Sequence, residues 1–90
     1  MTTKEAYEVI VAYLFQRNHI DIFRQEYNPE VFGNFIIAFK EYESERSITC
    51  DRGQLYLCNS PDGNSDCIVI VFSLYEILES DLMEVLHNIK

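Results

Sequence analysis

Residues 67–72 read Cys67-Ile68-Val69-Ile70-Val71-Phe72, an unbroken apolar run with β-branched side chains from Ile68 to Val71. The run is too short for an unaided helix, β-branched residues lose χ1 freedom in one, and the turn-rich segment Asn59 to Asp66 immediately precedes it. These features predict a strand. Successive side chains of a strand point to opposite faces, so uninterrupted apolarity predicts that protein covers both of them. The rest of the chain is placed by asking what does the covering.

A second run, Phe35-Ile36-Ile37-Ala38-Phe39, is introduced by Gly33 and Asn34 and ended by Lys40 and Glu41. It too reads as a strand covered on both faces. Tyr42 to Arg46 is a polar connection and Ser47 to Cys50 a more polar strand. Asp51-Arg52-Gly53 is a tight hairpin signal, with Gly53 suited to the left-handed position of a turn with a bulge. Gln54 to Cys58 alternates, so Leu55 and Leu57 share one face and Gln54, Tyr56 and Cys58 the other. Asn59 to Asp66 is a loop rich in turn formers. Upstream, Ile20 and Ile22 alternate like a strand while Phe23 breaks the alternation and Arg24 to Glu26 would fit a helical turn. A short strand is the preferred reading, ended by Asn28-Pro29.

Helices flank these strands. Thr2 and Glu5 form a capping box, and Ala6, Val9, Ile10, Tyr13 and Leu14 follow at helical spacing, so a helix is expected to about Arg17 with Asn18 as its cap. Tyr7, Val11 and Phe15 widen its apolar face. After Phe72 the period changes again. Ser73 and Glu76 make another capping box, and Leu74, Ile77, Leu78, Leu82, Val85, Leu86 and Ile89 line one helical face. Ser80 and Asp81 are good caps themselves, which leaves two readings open: one terminal helix, or a short turn and a final helix from about Asp81.

The fold expected is therefore a single α+β domain over residues 1–90, an antiparallel four- to five-stranded sheet flanked by an N-terminal and a C-terminal helix. Short connections favour a meander. A meander puts the two most apolar strands at its edges, where unpaired backbone invites aggregation. Ile20 to Phe23 is expected to shield the first; a rearranged strand order, a covering helix or a partner chain would have to shield the second.

Composition agrees with a folded domain. Of 90 residues 48% are apolar, with six Tyr and six Phe but only three Gly and two Pro, and folding at this length buries roughly 60% of the unfolded chain's surface. Fifteen acidic against seven basic residues give a net charge of −8. That charge repels nucleic acid and anionic membranes and favours basic partners. Cys50, Cys58 and Cys67 are an odd set without the short spacing of zinc ligand pairs, and read as reduced core residues. No apolar signal region, no run approaching membrane-spanning length and no Asn-x-Ser/Thr sequon occurs, so a cytoplasmic location is expected.

Candidate chemistry is sparse. Asp62, Asn64 and Asp66 match the first three liganding positions of an EF-hand loop, but Cys67 stands where the sharp turn needs Gly and Ser73 where the ion needs a bidentate Glu. His19 and His87 each end a helix, where a cation suits the dipole, and capping is the expected role. All three cysteines sit in or beside strands with apolar neighbours, which argues against a Cys/His nucleophile. No phosphate loop, Walker motif or serine elbow is present. The expectation is no catalytic residue, no metal and no cofactor. Alternate connections of a meander emerge at one end, so the loops bearing Glu43 and Glu45 and bearing Asp62 and Asp66 should lie together, with Glu41 extending the patch and Lys40 and Arg46 partly neutralising it. Glu76, Glu79, Asp81 and Glu84 add charge on the polar side of the last helix.

In size, charge, absence of catalytic motifs and the two helices bracketing Phe35–Phe39 and Cys67–Phe72, the chain resembles the small acidic immunity proteins that accompany bacterial contact-dependent growth-inhibition toxins. The likeness is of type, with no shared motif, and carries no functional residue across. It implies a non-enzymatic protein that binds and neutralises a basic, nuclease-type toxin; the patch read from the connections, Glu41, Glu43, Glu45, Asp62 and Asp66, is the contact surface expected for such a partner. It implies a protein partner, neither nucleic acid nor membrane, and a monomer or homodimer. Two alternatives predict other surfaces. A phage-type inhibitor mimicking DNA would space its acidic side chains like phosphates along an extended face. A dimeric secretion chaperone would pair through an apolar strand or helix.

Overall fold

Thr2 and Glu5 cap one another: the Glu5 N–H donates to Thr2 Oγ1 at 3.1 Å and the Thr2 N–H to Glu5 Oε1 at 2.8 Å. This box opens α1 (Thr3–Phe15), which buries Ala6, Ile10 and Leu14. The helix stops at Gln16, short of the expected Arg17. Phe15 is 81% exposed and does not widen the apolar face; at 3.6 residues per turn it lies about 140° around the helix from Ile10.

The computed structural model describes residues 1–89, in which α1 is followed by five strands, β1 (Ile20–Asn28), β2 (Asn34–Glu41), β3 (Ser44–Asp51), β4 (Gln54–Cys58) and β5 (Cys67–Val71). They form one sheet in the order β1-β2-β3-β4-β5, every neighbouring pair antiparallel. The protein is thus α+β, as its patterning predicts. The break in alternation at Phe23 is a bulge, since pairing with β2 shifts between Ile22 and Arg24. β3 begins earlier than expected: Ser44, Glu45 and Arg46 pair with Glu41, Lys40 and Phe39, leaving only Tyr42 and Glu43 as the turn. At the next hairpin Asp51 pairs with Gln54 and no bulge forms. Arg52 and Gly53 both take positive φ, 51° and 83°, the type I′ turn that suits the twist of a two-residue hairpin.

One face of the sheet carries the core. Phe35, Ile37 and Phe39 of β2, Ile48 and Cys50 of β3, Leu55 and Leu57 of β4 and Val71 of β5 pack with Ala6, Ile10 and Leu14 of α1. Leu74, Leu82 and Leu86 complete it from the C-terminal segment. That segment is broken, the second of the two readings: a 3₁₀ turn at Leu74–Glu76, then α2 (Glu79–His87). The Ser73 side chain makes no capping bond. Instead Asp81 Oδ2 accepts from the Leu78 N–H at 2.9 Å and starts α2, which leaves Leu78 exposed rather than on the core-facing stripe.

The Asn59–Asp66 loop folds back over the opposite face. Ser47 Oγ donates to the Ser60 carbonyl at 2.7 Å, and Gly63 lies so close to Thr49 and Ile36 that a Cβ there would press on both. β2 is covered on both faces in consequence, with Ala38 fully buried. β5 is not. Cys67, Ile68 and Val69 are exposed, Ile70 is half-buried, and only Val71 joins the core. The expectation of a fully sandwiched strand fails because the meander leaves β5 at the rim of the sheet, beyond the reach of the folded-back loop.

The cysteines also need correction. Cys58 and Cys67 are disulfide-bonded, with Cα atoms 4.0 Å apart, because the β4–β5 register sets them directly opposite one another. Cys50 alone is free, and it is buried.

Candidate functional site

The meander brings three connections to one end of the sheet: α1 into β1, the Tyr42–Glu43 turn, and the Asn59–Asp66 loop. The first of these meets the end of β2, where Ile20 pairs with Glu41. His19 Nε2 lies 2.6 Å from Glu41 Oε2, and Arg46 Nη1 3.7 Å from Glu41 Oε1. The His19 ring stacks on Tyr42, centroids 4.9 Å apart and planes at 12°. Arg17 donates to the Tyr13 hydroxyl at 3.1 Å, and that hydroxyl donates to the Leu86 carbonyl at 3.3 Å, tying α1 to α2. Glu41 is therefore a half-buried carboxylate already engaged by His19 and Arg46. His19 does not cap α1, which ends earlier; its partner is Glu41. His87 does sit in the last turn of α2, with Nδ1 2.7 Å from the Met83 carbonyl oxygen.

The other four predicted residues are exposed but not equivalent. Glu43 stands at the tip of its turn and Glu45 is the second residue of β3; neither makes an ion pair among the described residues. Asp62 Oδ1 accepts from the Asn64 N–H at 2.9 Å. That bond, with a further one from Ser60 and more weakly the charge of Arg24, holds its carboxyl below the usual aspartate range. Asp62 thus belongs to its own turn and looks toward β1. Asp66 takes a positive φ of 53° at the entry to β5.

Two clefts organise this end. One, of about 710 Å³, is lined by Glu41, Tyr42, Ser44, Glu45, Arg46 and Asn59. The other, of about 470 Å³, lies between β5 and α2, with Leu57, Ile68, Ile70, Val85 and Ile89 as its apolar lining and Arg46, Asn59, Asp66 and Asn88 as its polar lining. Arg46 and Asn59 line both clefts, Glu45 lines the first and Asp66 the second, and Glu43 stands at the tip of the adjoining turn. The Arg46 side chain is only 12% exposed and its Nε is buried without a hydrogen-bond partner.

No cluster of three or more His, Cys, Asp or Glu side chains that could hold a metal ion occurs among the described residues. In the EF-hand-like stretch Asp62 is engaged by the Asn64 amide and Cys67 by its disulfide. The Cys50 thiol, buried in the core, is pushed up to about 11, chiefly by desolvation, so it is not a thiolate at neutral pH. No helix of the described residues is long and apolar enough to cross a membrane.

Sequence reasoning missed the disulfide and the apolar cleft beside β5. The signal for the first was present: Cys58 ends one strand and Cys67 begins the next, so a hairpin paired from the strand ends sets them opposite each other. The cleft had none, because it depends on where α2 lies relative to the rim of the sheet. No family model, curated protein or solved structure matches this chain.

Proposed function

We propose that this is a non-enzymatic immunity-type protein that binds and neutralises a basic, nuclease-type bacterial toxin. The observation that carries the reading is the trio Glu43, Glu45 and Asp66, exposed at one end of the sheet without ion-pair partners among the described residues, beside a cleft with apolar walls. An apolar centre with a charged rim is the anatomy of a protein interface. A net charge of −8 steers a cationic partner toward it and competes for the charges that partner would use to hold phosphate. Glu41 and Asp62, already engaged, contribute less.

The test pairs the protein with the product of the gene adjacent to its own. A stoichiometric complex and protection of co-expressing cells are expected. The triple substitution Glu43→Ser, Glu45→Ser and Asp66→Ser should slow association about tenfold or more at low salt and much less at high salt. Absence of both complex and protection overturns the function; a salt-independent association rate unchanged in the triple variant overturns the surface.

A further inference from the structure

We propose that β5 receives an extended basic segment of the partner as a sixth strand of the sheet. The inference rests on the reading that the partner is a basic protein, and adds where and how it docks. It starts from the hydrogen-bonding phase of the edge. The Asn59 N–H donates to the Asp66 carbonyl at 3.4 Å, and the register continues Cys58 to Cys67, Leu57 to Ile68 and Tyr56 to Val69. Bonded and non-bonded pairs alternate in an antiparallel ladder, so Ile68 bonds inward to β4 while Cys67 and Val69 present their N–H and C=O groups outward. The 4.0 Å Cα separation of Cys58 and Cys67 is the short spacing of a non-bonded pair and agrees with this phase.

The two edges of the sheet are treated differently. β1 carries Asp21, Arg24 and Glu26, charges that block strand addition; a bulge occurs on both edge strands, after Ile22 in β1 and between Val69 and Val71 in β5. From Cys67 to Phe72 β5 has no charge, no proline and no lysine. Ile68 is 60% exposed and Phe72 79% exposed. Beyond Ile70 the cleft continues into a second recess of about 380 Å³ bounded by Phe72, Ile77 and Val85, so an apolar groove runs the length of the strand. Its ends are acidic, with Asp66 at one and Glu76 and Asp81 at the other. Arg46 is the sole cation lining it among the described residues, and its guanidinium already lies 3.7 Å from Glu41.

These features specify the occupant. A segment of about five residues spans roughly 17 Å of strand, places alternate apolar side chains in the groove, and brings Lys or Arg at its ends to the acidic rims. A second copy of the chain would instead bring another net charge of −8 and the same acidic rims. Charge complementarity selects the basic segment.

Val69→Pro tests the edge, since it removes an N–H that β4 does not use. Ile68→Lys is the second variant, leaving the backbone intact and placing a cation where the basic segment must lie. The probes are the product of the adjacent gene, as the toxin under test, and a synthetic peptide, Lys-Val-Thr-Val-Thr-Val-Lys, compared with its Glu-ended counterpart. Expected are amide shifts and exchange protection at Cys67 and Val69 on adding the Lys peptide, none with the Glu peptide, and toxin binding weakened about tenfold or more by each substitution. A toxin complex indifferent to both substitutions overturns edge docking and leaves the immunity role standing. Peptide addition at β5 without any toxin complex does the reverse. Equal binding of the two peptides, no binding of either, or a concentration-dependent dimer abolished by Val69→Pro also overturns the proposal.

Discussion

Opening the Cys58–Cys67 bond perturbs the molecule at one defined place, and its cost follows from the loop it closes. The cysteines are nine residues apart. In the chain-entropy account a loop of that size removes about 8.6 cal/mol/K from the unfolded ensemble, or about 2.6 kcal/mol at 25 °C. For a domain of this length each kcal/mol moves the thermal midpoint by roughly 4–8 °C, so reduction should lower it by about 10–20 °C. Reductant is a cleaner perturbation than substitution, because Cys58 is fully buried and truncating it would also open a cavity. The assay is urea and thermal unfolding with and without dithiothreitol, alongside thiol titration of the unfolded protein. One reactive thiol, that of Cys50, is expected without reductant and three with it. Three thiols without reductant, or coincident unfolding curves, would refute the reasoning. A glutathione-poised cytoplasm keeps most such pairs open, so for a protein acting there the reduced midpoint is the relevant one.

Two further substitutions probe the core and the turns. With its thiol pushed up to about 11 from an ordinary value of 9.0 by burial, Cys50 stays protonated in the folded chain while the unfolded chain ionises; stability should be complete below about pH 9 and fall as pH rises toward 11, a loss that Cys50→Ala should flatten in urea titrations across that range. Gly53→Ala should cost about 1–2 kcal/mol, since φ is 83° there and a Cβ would run into the Tyr75 ring; in a Tyr75→Ala background the cost should fall toward the backbone share alone, and a cost unchanged by that background would show that the ring yields freely.

What was legible in the chain were features whose physics is local. The Thr2–Glu5 box, the alternation of β4 and the continuous run of β2 each state their own conformation, and short connections left a meander as the natural order. The misplacements arise where distant elements decide. β3 starts at Ser44 because pairing with β2 carries on through polar residues that have no strand pattern of their own. Phe15 and Leu78 are apolar yet exposed, since helix phase and the Asp81 cap, not side-chain character, set where they point. The acidic patch was legible as a collection of loops at one end, but not in its detail: Glu41 turns inward to His19 and Arg46 because Arg46 faces the helices from β3.

The reading of β5 failed in a more instructive way. A continuous apolar run records what a strand is able to bury, and the inference from it to a covered strand assumes that the same chain supplies the cover. Here the cover is unevenly distributed. The folded-back loop reaches β2 and β3, α2 reaches Val71 and the flank of Ile70, and Cys67, Ile68 and Val69 are left open. An exposed, uncharged edge strand is an aggregation hazard that soluble domains ordinarily blunt, as β1 does with its charges. The neighbouring positions do not lack for charge, since Asp66, Glu76 and Asp81 frame the groove, yet none interrupts the run from Cys67 to Phe72. Apolar surface along the strand with acidic residues at both ends discourages self-association through net charge while leaving the edge open to a cationic segment. The same residues that defeat the two-faced burial reading are therefore the ones that make β5 selective as a docking edge.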